Sequence, residues 1–584
     1  MAAARSLAQG RLGRRVPVLT ACDTLGSASD DSLNDCDGTQ LCPQSGSSER
    51  VTSLPLPHRR IARWTRGHAP GPWLVLAGLI VGGASLVPPV YLVVRALESA
   101  GSAVDVLTAP STRSLLLRSL LFAAAVTACA TAIALPMAWL VERSDLAGRR
   151  AIGIVAALPL AVPSYVGALT FIAAFGPRGL LQGWLEPLGV ERLPSIYGFF
   201  GATFALTMFT YPYLFLTLRP ALATLDPRLE EMSRTFGYGR WFTFTRIVLP
   251  QVRPALFSGG LLVALYALSD FGTPALMRFD SFTRVIFIRY QSAFDRGNAA
   301  TLALLLAALA LVVVAIEVFG RSRRRSDGVR DAGRPPVPVA LGRWRWPAYA
   351  FVAGVVGLAL VLPIAVLLHW IQRGVAAGVA FRGVTDVIAD SVLVAALAAG
   401  LAAAAALPVA ILGVRHRGHW FSRAVEVLSY TGYALPGLVV GLALVFTAIR
   451  VSWLYQSVTI LVLAYVMLFL PQATNATRVA LLRVRPSMEE AARGLGRRPG
   501  GVLRTITIPL AGRGVMAGAA LVFLTTIKEL PATLILAPPG FQTLATRVWS
   551  ASSDVRYAEA ALPALMLVGI SLVALVVLNY GSRR

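Results

Sequence analysis

Long apolar stretches alternate with short polar, arginine-bearing segments along most of this chain. Each apolar stretch has about 20 residues or more, the length that an α-helix needs to cross roughly 30 Å of hydrocarbon. The pattern therefore predicts an all-α polytopic membrane protein with about 12 transmembrane helices, in two sets of six. The predicted spans lie near 73–96, 115–141, 151–175, 196–218, 254–277 and 299–320, and then near 347–371, 391–414, 424–449, 456–478, 513–537 and 559–580.

The polar segments divide the chain into four parts. Residues 1–70 are rich in Ser, Gly, Asp and Arg without periodicity, which predicts a disordered cytoplasmic tail. Residues 71–320 form a first half, and residues 347–584 form a second half. The segment between them, 321–346, is rich in arginine and carries prolines, so we expect a cytoplasmic linker. Six crossings on either side of it then place both chain termini in the cytoplasm.

Two polar segments, each within one half, repeat each other. We name residues 227–250 inner loop 1 and residues 486–509 inner loop 2. A constant offset of 259 residues, with no gap, relates Glu230, Glu231, Gly237, Ile247 and Pro250 to Glu489, Glu490, Gly496, Ile506 and Pro509. The offset also relates Asp270 to Glu529, and prolines upstream pair at 272 or 273. Two like halves in one orientation imply a pseudo-two-fold axis along the membrane normal, with a pathway between them.

Each inner loop has the local signals of a helix-turn-helix. Acidic residues follow Pro227 or Pro486 and suit the partial positive charge at a helix N-terminus. Gly237 and Gly496 then interrupt the helix before a second helical stretch. This pattern predicts a docking element on the inner face. The alternative is a long solvated loop, but two copies that match without a gap argue against it.

Composition excludes several classes of function. The net charge of +25 would suit nucleic acid, but the arginines lie between spans and follow the positive-inside rule instead. The only lysine is Lys528, in Thr526–Glu529, so the Gly-x-x-x-x-Gly-Lys-Ser/Thr cradle of a nucleotide-hydrolysing P-loop is missing. The four cysteines and five histidines show no metal-ligand or disulfide spacing. We therefore expect no metal site and no catalytic residue in this chain.

The inner loops resemble the EAA loop of permease subunits of ABC importers. The residues that carry the resemblance are Glu231, Gly237, Ile247, Leu249 and Pro250 in the first half, and Glu490, Ala491, Ala492, Gly496, Ile506 and Pro509 in the second. The first copy departs from the family pattern with Met232–Ser233 in place of an alanine pair, and the second departs with Ile508 in place of leucine. Neither change removes a charge or the turn glycine.

The resemblance implies a fold and a set of partners. It implies the type I importer permease fold in a bacterial inner membrane, with each inner loop fitting a cleft on one of two ABC ATPase subunits. ATP and magnesium would be bound by that ATPase, and no cofactor by this chain. Substrate would arrive from an extracytoplasmic binding protein. The alternative is a secondary transporter with Asp270, Lys528 and Glu529 as its ion relay, in which the inner loops have no role.

Charged and polar residues interrupt two apolar spans just after the inner loops. They are Ser269, Asp270, Thr273, Lys528 and Glu529, which we predict to form a pathway or gate. Each charge costs at least ~2.5 to 3.5 kcal/mol at membrane depth, so such residues usually face a passage or a partner charge. The alternative is a buried ion pair of Lys528 with Asp270 or Glu529 that only fastens the halves together.

Other polar residues beside prolines are candidates for lining the passage, or else serve as interfacial anchors or helix-packing groups. They are Ser164, Tyr165, Tyr430, Tyr433, Gln472 and Asn475. The phrases Asp-Phe-Gly-Thr-Pro and Lys-Glu-Leu-Pro-Ala-Thr-Leu, with two fused halves, look like the ferric-iron importers. Importers of thiamine, phosphonate, sulfate and polyamines share this architecture. Ferric iron is therefore the substrate we expect first, and these four are the alternatives.

Overall fold

The structure is a computed structural model that describes residues 70–98, 100–292, 296–322, 338–381 and 383–583. The predicted tail, up to residue 69, and most of the predicted linker, 323–337, lie outside these residues. Within the described ranges the chain is helical, and its one extended pairing is an isolated bridge between Ser144 and Val339. The prediction of an all-α polytopic fold is confirmed.

The first half contains helices that are interrupted at several prolines and glycines. Its α-helices are Pro72–Glu98, Ala100–Thr108, Pro110–Arg143, Arg149–Val155, Ser164–Phe175, Leu180–Leu185, Phe199–Ala223, Pro227–Thr235, Arg240–Thr243, Leu249–Ser269, Gly272–Leu276, Phe282–Gln291 and Arg296–Ser322. Short 3-10 turns cover Leu158–Ala161 and Glu186–Leu188, and a π-helical turn covers Phe244–Val248.

From its second span onward the second half repeats this order of elements, except that helix Leu180–Leu185 and turn Glu186–Leu188 have no counterpart. Its α-helices are Arg345–Val356, Leu362–Ala376, Val384–Arg415, Trp420–Ser429, Thr431–Ala434, Gly437–Ala448, Val458–Arg483, Pro486–Gly494, Pro499–Val502, Ile508–Thr526, Pro531–Leu536, Leu544–Ser553 and Tyr557–Arg583. A 3-10 turn covers Gly342–Trp344, and π-helical turns cover Gly357–Val361 and Leu503–Thr507. The π-helical turns at 244–248 and 503–507 occupy equivalent positions of the repeat.

Ten helices in the described ranges are long and apolar enough to cross a membrane. They match ten of the twelve predicted spans, although the fifth span of each half breaks earlier than predicted, at Ser269 or Thr526, and a short helix, Gly272–Leu276 or Pro531–Leu536, follows it. The other two predicted spans, 151–175 and 424–449, are broken rather than continuous. The first consists of Arg149–Ala161 and Ser164–Leu188, bent by 93°, and the second ends in the short apolar helix Gly437–Ala448. Pro163 and Pro436 lie at the two breaks, because proline removes a backbone donor and clashes with the preceding turn.

The first span of each half packs against the other half. Helix Pro72–Glu98 contacts helices 384–415, 420–429 and 437–448 of the second half, and the Thr431 hydroxyl donates to the Ser85 carbonyl at 3.2 Å. Conversely, helix Leu362–Ala376 contacts helix 164–175 of the first half. This exchange interlocks the two halves.

Candidate functional site

A short helix begins each inner loop, and a glycine that the turn requires lies two residues beyond its end. We name Pro227–Thr235 inner helix 1 and Pro486–Gly494 inner helix 2. Gly237 has φ +78° and Gly496 has φ +82°, a left-handed conformation that glycine adopts without steric cost. The Gly237 amide donates to the Arg234 carbonyl at 2.9 Å and the next amide reaches back to residue 233, and inner helix 2 ends in the same way. This is a Schellman ending.

One glutamate of each inner helix is buried and paired with an arginine from the second span of its own half. Glu230 accepts from Arg143, the last residue of helix Pro110–Arg143. Glu489 accepts from Arg415 at 2.9 Å, and Arg415 ends helix Val384–Arg415. The sequence analysis did not identify these arginines. Arg143 and Arg415 are 272 positions apart, an offset that also relates prolines upstream. This equivalence is the sequence signal that could have identified them.

The next glutamate in each inner helix, Glu231 or Glu490, is exposed. Around these acids the two loops present different apolar surfaces. Phe236 and Trp241 of inner loop 1 are 72% and 76% exposed, whereas inner loop 2 has Leu495, 86% exposed, and a glycine at the position equivalent to Trp241. Each inner helix therefore directs one acid inward to an arginine and one acid outward.

The remaining predicted loop residues lie at the start of the fifth span. Ile247 and Ile506 are half-buried within the two π-helical turns, and Pro250 and Pro509 follow one residue into the next helix. In inner helix 2, Ala491 is exposed and Ala492 is buried. Wide π turns often occur at functional positions, and here both copies have one between the inner loop and the long span.

The end of the linker lies against inner loop 1. The Val339 amide donates to the Arg143 carbonyl at 2.8 Å, and Arg240 donates to the Ala340 carbonyl at 3.3 Å. A cavity of about 280 Å³ lies between these segments. Asp145 holds the end of the linker in place, because it accepts from the Leu341 amide at 3.0 Å and pairs with Arg345. The hydrogen bond from Arg345 lowers the pKa of the Asp145 carboxyl below its ordinary value.

Asp270 lies where the fifth span of the first half ends and caps the short helix that follows. Its carboxylate accepts from the Ser164 hydroxyl at 2.5 Å and from the Thr273 amide at 3.0 Å. Its backbone carbonyl accepts from Thr283 at 2.8 Å. Ser164 begins the helix after the Pro163 break, so the two broken spans of this half meet at Asp270. Ser269 is half-buried and Thr273 is fully buried beside it.

Glu529 takes the equivalent place in the second half. Its carboxylate accepts from the Ala532 amide at 3.3 Å, and its carbonyl accepts from Thr533 at 2.7 Å. The Thr533 hydroxyl also lies 2.6 Å from that of Tyr465. Asp270 and Glu529 therefore each accept hydrogen bonds at the break that ends the fifth span of their own half.

Lys528 crosses from the second half to the first. Its ammonium donates to the Leu160 carbonyl at 3.0 Å, and Leu160 lies in the 3-10 turn before the Pro163 break. Among the described residues, Lys528 forms no ion pair within 4.0 Å with Asp270 or Glu529. The alternative of an ion pair is thus wrong for this conformation, because the Lys528 ammonium donates instead to the Leu160 backbone carbonyl, which the helix break leaves free to accept.

The other candidate lining residues have mixed environments. Tyr165 is buried, Tyr430 is half-buried and Asn475 is exposed, whereas Gln472 accepts from Thr525 at 3.3 Å, a helix-packing contact. The Tyr433 side chain lies outside the described part of the chain. Within the described ranges, no group of three or more His, Cys, Asp or Glu side chains is placed to hold a metal ion.

These features define a polytopic permease of two interlocked halves, each with an inner helix-turn-helix. The chain belongs to the family of binding-protein-dependent transport system inner membrane components, which it matches over residues 130–325 and 396–583. It is thus the multi-pass permease of an ABC-type, binding-protein-dependent transporter, and the resemblance found in the sequence is confirmed.

Relatives include transporters for two different ions. An Fe(3+)-transport system permease protein of Haemophilus influenzae is 31% identical over 505 residues, 85% of this chain and 96% of the relative. A ferric transport system permease protein of Actinobacillus pleuropneumoniae is 24% identical over 436 residues, 70% of this chain and 62% of the relative. A sulfate transport system permease protein of Escherichia coli is 31% identical over 196 residues, 32% of this chain and 69% of the relative.

Proposed function

We propose that this permease imports ferric iron, delivered by an extracytoplasmic binding protein and driven by ATP hydrolysis in a separate subunit. The observation that supports ferric iron as the substrate is the extent of the likeness to the Haemophilus influenzae Fe(3+) permease, which spans both halves and 85% of this chain. The likeness to the Escherichia coli sulfate permease covers 32% of this chain. Ferric iron would be the transported cargo, and the affinity for it would reside in the binding protein.

We assign the two inner loops to two copies of an ATPase subunit. Two observations support this proposal: the exposed Glu231 and Glu490 lie at equivalent positions, and both inner loops carry exposed apolar side chains. ATP and magnesium would be bound by those subunits, and this chain would supply no catalytic group. The inner loops would then face the cytoplasm of a bacterial cell, together with both chain termini.

The passage is proposed to run where the third and fifth spans of both halves break. Asp270, Glu529 and Lys528 meet there with backbone groups that the breaks leave outside regular helix. In this conformation both carboxylates cap helices and Lys528 links the halves. Movement of the halves apart would release the Leu160 carbonyl and open the passage between them.

Sulfate is the second candidate, because a sulfate permease is among the relatives. Uptake of radiolabelled ferric iron and of radiolabelled sulfate should be compared in a strain that lacks this chain. We expect iron uptake to fall and to return with the intact chain. Unaltered iron uptake together with lost sulfate, thiamine or phosphonate uptake would refute iron. Uptake by the purified chain alone, under an ion gradient, would instead indicate a secondary transporter.

A further inference from the structure

We propose that the Arg143–Glu230 and Arg415–Glu489 pairs are rigid joints that make each inner helix move together with the second span of its own half. We treat these four side chains as positioning residues, since each pair connects an inner helix to a membrane span. The inference rests on the proposed function, because an ATPase is what would move the inner helices.

The first support is that the joint occurs twice. Its partners are 87 residues apart in the first half and 74 in the second, so neither pair follows from local helix geometry. The Arg143 side chain is 2% exposed and that of Glu489 is 9% exposed. Removal of one member would leave a buried charge without its partner, which is strongly unfavourable.

The second support is that further contacts fasten the same elements together. Arg415 also donates to the Val484 carbonyl at 3.0 Å, just before inner helix 2. The Thr507 hydroxyl, in the π-helical turn, donates to Glu489 at 2.9 Å. In the first half, the hydroxyls of Ser233 and Thr243 lie 2.9 Å apart and join inner helix 1 to the next helix. Each inner helix is therefore held at both the second and the fifth span.

The third support is a hydrogen bond farther along the second span of each half. The Ser119 hydroxyl of helix Pro110–Arg143 accepts from the Phe282 amide at 3.2 Å, and the neighbouring Thr283 donates to the Asp270 carbonyl. In the second half, Ser391 accepts from the Leu544 amide at 2.7 Å. Helix Pro110–Arg143 is one continuous helix of 34 residues, about 50 Å long, with Pro136 inside it, so a single element reaches from inner helix 1 to the segment beside the proposed gate.

The test measures coupling in the assembled transporter. Wild-type chain, R143E, E230R and the exchanged double variant R143E/E230R should be reconstituted with the ATPase and the binding protein in liposomes. We expect each single variant to lower the amount of cargo moved per ATP about tenfold, and the exchanged pair to recover most of it, since a shared interaction is non-additive. The milder R143Q and E230Q should lie between if the single reversals fail to assemble.

A neighbouring ion pair supplies the matched control. Arg219 donates to Glu142 at 2.7 Å next to the joint, with side chains 32% and 21% exposed, and within the described ranges neither side chain hydrogen-bonds to an inner helix. E142Q and R219Q should leave cargo moved per ATP close to wild type, because partly exposed pairs contribute little. An equal loss in these controls would overturn the joint, since any nearby charge would then matter as much.

A cross-link distinguishes a joint from a hinge. In a background without other cysteines, R143C and E230C should be combined and bridged with a short thiol-reactive linker. A rigid joint predicts that the unbridged variant, which lacks the ion pair, moves less cargo per ATP than wild type, and that bridging raises this ratio toward wild type. Uptake that stops on bridging would overturn the proposal, because the inner helix would then need to move relative to the second span.

Failure of the proposed function gives a different result. If the chain works without an ATPase, liposomes that contain the wild-type chain transport cargo without ATP, and the amount of cargo moved per ATP is undefined. If the chain is ATP-driven and only the joint is wrong, wild type couples normally and R143E and E230R resemble the controls.

Discussion

Glu529 occupies the space in front of Gly437, and a Cβ added to that glycine would overlap Oε1 of the carboxylate. The equivalent position of the first half holds Ser164, whose hydroxyl donates to the shorter Asp270. One half thus combines serine with aspartate, and the other combines glycine with glutamate. In both, a carboxylate fills the gap between the broken third span and the broken fifth span.

Substitution at Gly437 tests this fit. We expect G437S to lower uptake and thermal stability, because overpacking a filled site costs roughly 1–3 kcal/mol. E529D in the same chain should restore both, since it recreates the arrangement of the first half. The control is G441A, whose added Cβ would have neighbours at 3.4 Å, an ordinary contact. Wild-type behaviour of G437S, or no recovery of uptake and stability on adding E529D, would contradict this fit between residues 437 and 529.

Sequence patterns predicted the elements but not their partners. Hydropathy located Gly437 and Pro436 inside one apolar stretch, and length alone made that stretch a continuous span. The break, and the carboxylate facing it, depend on a contact between residues 92 positions apart. The Arg143–Glu230 pair was hidden for the same reason, because the positive-inside rule explains an arginine at the end of a span without naming its partner.

Lys528 shows a second limit. Its charge within an apolar span predicted a pathway or gate, with a buried ion pair to Asp270 or Glu529 as the alternative. The structure gives it a backbone carbonyl instead, and a carbonyl freed by a helix break has no signature in the pattern of charges. By contrast, the turn glycines and the repeat of the inner loops were readable, because both depend on local sequence.

Replacement of Lys528 separates a gate from a fastener. We expect K528M to lower uptake about tenfold and to make ATP hydrolysis less dependent on the binding protein, because the link to Leu160, which we propose closes the passage, would be lost. K528R keeps a donor and should retain more activity. Thermal stability should be recorded alongside. A fall in stability with normal cargo moved per ATP would mean that Lys528 only fastens the halves.

Charge reversal of the exposed acids tests the assignment of the inner loops. We expect E231R/E490R to lose most uptake while the chain still reaches the membrane, because both acids are exposed on the proposed ATPase-facing surface. Co-purification of the ATPase and cargo moved per ATP are the measurements. E186R/E191R, which reverses two exposed glutamates in the loop near 176–194, is the control. Normal transport by E231R/E490R would remove the coupling role from these residues.

The turn glycines connect backbone conformation to that same surface. G237A and G496A place a side chain at φ +78° and +82°, which costs about 1–2 kcal/mol each in a left-handed conformation. No other atom lies within 4 Å of either added Cβ, so the cost arises from the backbone and not from a clash. We expect G237A/G496A to weaken ATPase co-purification, and asparagine at both positions to be tolerated better than alanine, because asparagine visits this region more readily.

The matched control is G239A, since Gly239 lies two residues away with φ −69° and open space around it. If G239A weakened co-purification as much as G237A, the left-handed turn would not be what orients inner helix 1 toward its partner.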